Sequence, residues 1–114
     1  MPQVFSGQSL TNATAIGPGT AITVGDNSDV GGLFSWSGNG NHPTEITLIL
    51  SLEGSIDGTT WASFDTESSP LLSDSGARFF GGGGGPHVNH LRVNIIQNTY
   101  NATVNAWVSA RPLA

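Results

Sequence analysis

Cysteine and lysine are both missing from this 114-residue sequence, and charged residues make up only 10% of it. Without cysteine there is no disulfide framework, no thiolate metal centre and no cysteine nucleophile. A small domain lacking such staples must reach stability by packing or by association with other copies. The three cations, Arg78, Arg92 and Arg111, face eight carboxylates, for a net charge of −5. Three scattered arginines cannot build the basic stripe that phosphate neutralisation needs, so nucleic acid is not an expected partner. No apolar run approaches the length of a membrane span, and no membrane partner is expected. The opening MPQVFSGQS has neither the basic segment nor the apolar core of a signal peptide, so the expectation is a chain that works without secretion. On that basis the triplets starting at Asn12 and Asn101 read as strand and turn chemistry, not as glycan acceptors.

A sustained 3.6-residue apolar period is missing as well; what the chain has instead is alternation. Ile46, Leu48, Leu50 and Leu52 share one face of a strand, with Thr47, Ile49 and Ser51 on the other. Leu91, Val93 and Ile95 alternate with Arg92, Asn94 and Ile96. Ala102, Val104, Ala106 and Val108 alternate with Thr103, Asn105, Trp107 and Ser109. Shorter strands are expected over Thr11–Ile16, Thr20–Val24, Gly32–Trp36, Thr60–Phe64 and Ala77–Phe80. Turn signals separate them at Gly17-Pro18-Gly19, Gly25-Asp26-Asn27, Gly38-Asn39-Gly40-Asn41, Asp57-Gly58 and Tyr100-Asn101. Asp57-Gly58 has the composition of a type I′ hairpin, and Tyr100-Asn101 offers a second hairpin joining the strand at Leu91 to that at Val104. About eight short strands at this spacing make one all-β domain over residues 1–114. Its expected form is an antiparallel β-sandwich or jelly-roll-like domain, with residues 1–10 as an extended N-terminal arm.

Few stretches could carry chemistry. Gly81 to Gly85, followed by Pro86 and His87, cannot cradle phosphate as a P-loop does, because no Lys-Ser or Lys-Thr and no helix follow. It reads as a loop in which backbones approach closely. His87 and His90, with His42 as a third ring, suggest a metal, but strand geometry sends residues three apart to opposite faces. No metal or cofactor is expected. Gly25 to Asp29 offers oxygen ligands for calcium but lacks the length and terminal glutamate of an EF-hand, and such residues also bond their own turn. Asp57, Asp65, Glu67 and Asp74 are acid–base candidates by type alone, and no serine sits in a nucleophile elbow; an enzyme is not expected. Trp61 follows the Asp-Gly turn, where a ring can pack over Ile56 or across onto the facing strand.

The segment LSLEGSIDGTTWASF, followed by HLRVNI from His90, resembles a pattern of small bacteriophage structural domains: a strand of the type leGSlDGttW, then one of the type ylRvnl. The run over Ile46–Ile96 is also similar to discoidin-like carbohydrate-binding modules, although this chain is shorter and carries GGGGGP before its second strand. The phage resemblance implies a virion structural protein, made in the host cytoplasm, that decorates the capsid as a cement-like homo-oligomer with a trimer as the leading arrangement. Its partners would be copies of itself and a major capsid or other virion protein. Interface residues would then be Val4, Phe5, Gly81, Gly82, Gly83, Gly84, Gly85, Pro86 and His87. The discoidin resemblance implies a non-catalytic module stacking a sugar on Trp36 or Trp61.

Overall fold

Inward-facing leucines and valines at every second position leave each strand with one face to bury, and two sheets closing on each other accomplish this. The computed structural model describes residues 5–38, 48–68, 75–81, 83–99 and 102–111. Among the described residues eight strands follow one another: β1 (Phe5–Ala13), β2 (Gly17–Pro18), β3 (Ile22–Ser37), β4 (Leu48–Ser55), β5 (Ala62–Ser68), β6 (Ser75–Phe79), β7 (Gly83–Asn98) and β8 (Thr103–Arg111). Every pairing is antiparallel, as the alternation predicts. One layer runs β1-β8-β3-β6 and the other runs β3-β7-β4-β5, with β2 lying against β7. The protein is an antiparallel β-sandwich.

Between the layers, Phe34, Leu48, Leu50, Leu52, Leu91, Val93, Ile95, Val104 and Ala106 are fully buried. Phe34 packs its ring 5.6 Å from Trp36 and 5.1 Å from Phe80. The three alternating strands keep the faces expected of them: Leu91, Val93 and Ile95 point inward while Ile96 is exposed, and Val104 and Val108 point inward while Trp107 does not.

The two layers share β3. Its first part pairs with β7 from Ile22 to Val30, and its second part pairs with β6 from Leu33 to Ser37. β6 and β7 therefore lie end to end along one edge of β3, and the amide of Phe80 donates to the carbonyl of Gly32 at the junction (2.9 Å). Glycines meet at this corner: Gly31 and Gly32 on β3, with Gly83 and Gly84 paired against β3 from the other chain segment. A Cβ on Gly32 would come within 3.0 Å of the Phe80 ring and 3.3 Å of the Trp107 carbonyl oxygen. Close backbone approach, rather than mobility, is what the glycines provide here.

Several expectations need correction. Gly83 onward is not a loop but the first part of β7, with Gly83 opposite Val30 and Gly84 opposite Asp29. Gly25-Asp26-Asn27 is not a turn: β3 runs through it, with register shifts between Thr23 and Asn27 and between Asn27 and Asp29. Two short strands expected at Thr20–Val24 and Gly32–Trp36 are thus one, because bulges let a strand bend without ending. The Asp57-Gly58 loop is not a two-residue type I′ turn. Only Gly58 has positive φ (82°), and β4 and β5 resume pairing at Gly54 and Ala62. β7 and β8 do not form a hairpin either, since β8 pairs with β1 and β3. Tyr100-Asn101, the turn at 38–41 beyond Gly38, and Ile46 and Thr47 lie outside the described residues. From Phe5 onward the N-terminal segment is β1, hydrogen-bonded along β8 from Ala110 to Val104, with Leu10 buried.

Side chains stitch the layers where strand pairing cannot. Ser9 Oγ on β1 donates to the Thr20 carbonyl (2.8 Å) and accepts from the Val93 amide of the opposite layer (2.9 Å). Asn98, at the end of β7, donates to the carbonyls of Thr14 and Ala102 (3.0 and 2.9 Å) and accepts from the Ala102 amide (2.9 Å). Asn98 is only 7% exposed, so its loss would leave three backbone groups unpaired away from water. Replacing it, Asn98→Ala, is expected to lower stability by about 3 kcal/mol, read as a drop in urea midpoint at unchanged slope.

Candidate interface and ligand surfaces

β4 and β7 place Glu53 directly opposite Arg92. Arg92 Nε donates to Glu53 Oε1 at 2.7 Å, and Asn94 Nδ2 reaches Glu53 Oε2 at 3.3 Å. The indole of Trp61 covers this pair, with the guanidinium carbon 4.0 Å from its ring centroid and the His90 ring at 6.5 Å. Packing is therefore a job of Trp61: one ring face is committed to Arg92 across on the facing strand. Side-chain exposures of 21% for Arg92 and 15% for Glu53 follow from that cover. Trp36, the other proposed sugar platform, is 4% exposed and belongs to the core. The two tryptophans do not form one surface.

Acidic groups are held by the fold. Asp57 Oδ1 accepts from the Thr60 amide (2.7 Å), the Thr59 amide (2.9 Å) and the Ser55 hydroxyl (3.0 Å). These bonds, the Thr60 amide first, hold its carboxyl well below the usual carboxylate range. Asp65 Oδ2 accepts from the Gly81 amide at 2.8 Å. Glu67 is pushed up by its hydrogen bond with Asp65, then by burial and by the Asp65 charge, against the opposing pull of Arg78. Arg78 reaches across from β6 to Glu67 (3.3 Å) and to the Ser68 carbonyl (2.9 Å), so these groups tie the free side of β5 to the other layer. Asp29 pairs with Arg111 at 2.6 Å, while the side chains of Asp26, Asn27 and Ser28 lie outside the described residues. Among the described residues no three His, Cys, Asp or Glu side chains converge as a metal site. His90 Nδ1 lies 3.4 Å from Thr23 Oγ1. His42, Asp74 and the side chain of His87 lie outside the described residues.

Among the described interface candidates, Phe5 and Gly83 share one transverse row of the sandwich. Phe5 is opposite Ala110, Ala110 is opposite Val30, and Val30 is opposite Gly83. A single transverse row thus joins the start of β1 to the start of β7, although 78 positions separate Phe5 from Gly83 in the sequence (83 − 5). Gly84 sits in the next row with Asp29 and Arg111, and Gly81 is exposed. Val4, Gly82 and the side chains of Phe5, Pro86 and His87 lie outside the described residues.

Two further features escaped the sequence reading. An open cavity of about 590 Å³ lies beside the Asp57 loop, with Ile56, Ala62, Phe64 and Val88 as its apolar lining. On the outer face of the first layer, Phe79, Leu33 and Trp107 are cross-strand neighbours on β6, β3 and β8. Phe79 is 77% exposed and Trp107 39%. Alternation placed Trp107 on the outer face, but only the strand order brings it beside Leu33 and Phe79.

No protein-family model matches the sequence, and no curated protein does. Solved structures match it over nearly its whole length. The SPBc2 prophage-derived protein YomS is similar with a TM-score of 0.57 at 14% identity, covering 96% of each chain. The globular domain of zebrafish complement 1qA gives 0.50 at 14% identity over 97% of each chain. An F5/8 type C domain from Bacteroides fragilis gives 0.46 at 13% identity, covering 82% of this chain and 64% of that one. The likeness is one of fold.

Two measurements follow from the electrostatics. Arg92→Leu is expected to cost about 2 kcal/mol by stranding Glu53 under the indole, and the double variant Glu53→Leu/Arg92→Leu to recover most of it, in a urea cycle. A double variant no better than the single would mean that the pair, not the orphaned charge, carries the stability. In the pH dependence, the two unusual carboxyls act with opposite sign. Asp57, depressed in the fold, stabilises above its unfolded value near 4, and that contribution disappears as the pH falls through its folded range. Glu67, raised in the fold, stabilises below its unfolded value, and its contribution is lost as the pH rises through its folded value. Glu67→Gln should therefore flatten the fall in urea midpoint from about pH 4 to pH 7. Asp57→Asn should lower the midpoint at pH 7, with the gap closing in acid.

Proposed function

We propose that this protein is a non-enzymatic structural component of a bacteriophage virion, a decoration protein that binds the capsid surface as a homo-oligomer. The observation that carries this reading is the end-to-end correspondence of its sandwich with the prophage-derived protein, over 96% of both chains. The leGSlDGttW-like segment of phage structural domains supports it independently: that segment forms the end of β4 and the loop into β5, where Asp57 and Gly58 shape the turn.

A virion component needs a rigid body and a docking end, not a reaction centre. The acidic groups described above are engaged in holding loops and layers together, which favours such a body over acid–base chemistry. The row that joins Phe5, Ala110, Val30 and Gly83 provides the docking end. It gathers the N-terminal segment and the glycine-rich entry to β7, which are the stretches expected to meet a neighbour. Ala110 and Val30 are already buried in the core, so the contact would come from the strand ends around them, where glycine lets a partner backbone come close.

Light scattering on the purified chain is expected to give a mass of more than one subunit at micromolar concentration, with three as the expected count. Deleting residues 1–5, and separately Gly83→Trp, should weaken binding to the parent particle while far-ultraviolet dichroism keeps its β signature. Unchanged binding by both variants would place the contact elsewhere on the molecule.

A further inference from the structure

We infer that the outer face of the β1-β8-β3-β6 layer is a binding platform for a neutral, extended glycan of β-1,4-linked pyranose rings, seated on Phe79, Leu33 and Trp107. Strand register sets the geometry. Leu33 is opposite Phe79 on one side and opposite Trp107 on the other, and Trp107 is in turn opposite Gln8. Two aromatic rings are thus held two strand spacings apart, about 9.6 Å, with a branched apolar side chain between them. A flat β-1,4-linked chain presents the same ring face again after two sugars, so alternate pyranoses can stack on Phe79 and Trp107 while the middle one crosses Leu33. Apolar C–H faces of sugars favour such rings, as buried apolar area does elsewhere.

The surroundings suit a neutral polyol. Neighbouring outward positions in the registered rows are Gly31 with Ser109 and Ser35 with Ala77 and Asn105. Carboxamides cluster at the β1 end of the platform: Gln8 Nε2 donates to Asn105 Oδ1 (3.2 Å), which also accepts from the Asn12 amide (3.0 Å). Arg78, next to Phe79 in sequence, is turned to Glu67 of the opposite layer, so its charge is directed away from this face. Among the described residues, the registered positions around Phe79, Leu33 and Trp107 carry Gln8, Gly31, Ser35, Ala77, Asn105 and Ser109 and no carboxylate, so the platform complements an uncharged ligand. Its size fits as well. Three strands over nine residues each and the five-residue β6, about 4.8 Å apart, give roughly 500 Å² of plane, less than the ~800 Å² that each side of a standard protein interface contributes.

This surface is separate from the Phe5–Gly83 end, so it stands or falls independently of the virion reading. The test uses the full chain with microcrystalline cellulose, chitin and starch in pull-down, and with cellohexaose, chitohexaose and maltohexaose in titration calorimetry. Retention on cellulose or chitin but not starch is expected, with Trp107→Ala and Phe79→Ala each weakening hexaose binding at least tenfold. Trp61→Phe should bind as the parent does. The inference is overturned if neither β-linked polymer retains the chain, or if the two platform variants bind as the parent does. It is also overturned if these variants change the sedimentation mass, which would make the face a contact between copies. Thermal melts of both variants, expected to stay near the parent because the rings are exposed, separate lost binding from lost folding.

Discussion

Everything in this sandwich depends on two long strands turning the same corner together. β3 and the β6–β7 segment run side by side from one layer into the other, and a hydrogen-bonded pair can bend so sharply only where side chains do not collide. Glycine on both partners meets that need, with Gly32 pressed between the Phe80 ring and the Trp107 backbone. The bulges at Asn27 extend the bend without breaking pairing. A single core, from Phe34 and Trp36 to Leu50 and Leu52, then forms inside the fold of the corner.

Where the corner leaves the sides of the sandwich open, polar groups take over. Ser9 and Asn98 close one side by bonding backbone groups of both layers, while Asp65, Glu67 and Arg78 close the other. With so few charges, each ion pair has a location where it matters. The Glu53–Arg92 pair lies under an indole, where the surrounding dielectric is lower and an unpaired partner would be costly. Carboxyls that reach inward along β5, an edge strand, also discourage unwanted pairing of that edge.

The architecture was legible in the sequence to the extent that it is local. Period-2 alternation identified the faces of β4, β7 and β8, because a side chain's direction on a strand depends on parity alone. What parity cannot carry is which strand lies beside which. The pairing of β8 with β3 rather than β7, and the meeting of Leu33 with Phe79 and Trp107, come from long-range topology. Glycine misled for a related reason: the same residue serves a free loop and a crowded corner, and only the neighbouring strand distinguishes them. Trp36 and Trp61 looked equivalent by type, yet one faces Phe34 in the core and the other covers Arg92. The row from Phe5 to Gly83 joined two segments already singled out, which the sequence alone gave no reason to place side by side.

The antiparallel register of β1 on β8 also fixes how the molecule bears load. Phe5 lies opposite Ala110, so the first strand begins and the last strand finishes at the same pole. Tension applied through those two strand ends would peel them apart like a zipper, one hydrogen-bonded pair at a time, and would give way at low force. Tension drawn lengthwise along β3 would instead meet the bonds to β6, β7 and β8 in shear, where many must break together. A sandwich gripped along its long central strand is a stiff mechanical element; gripped by its strand ends, it is a ripcord.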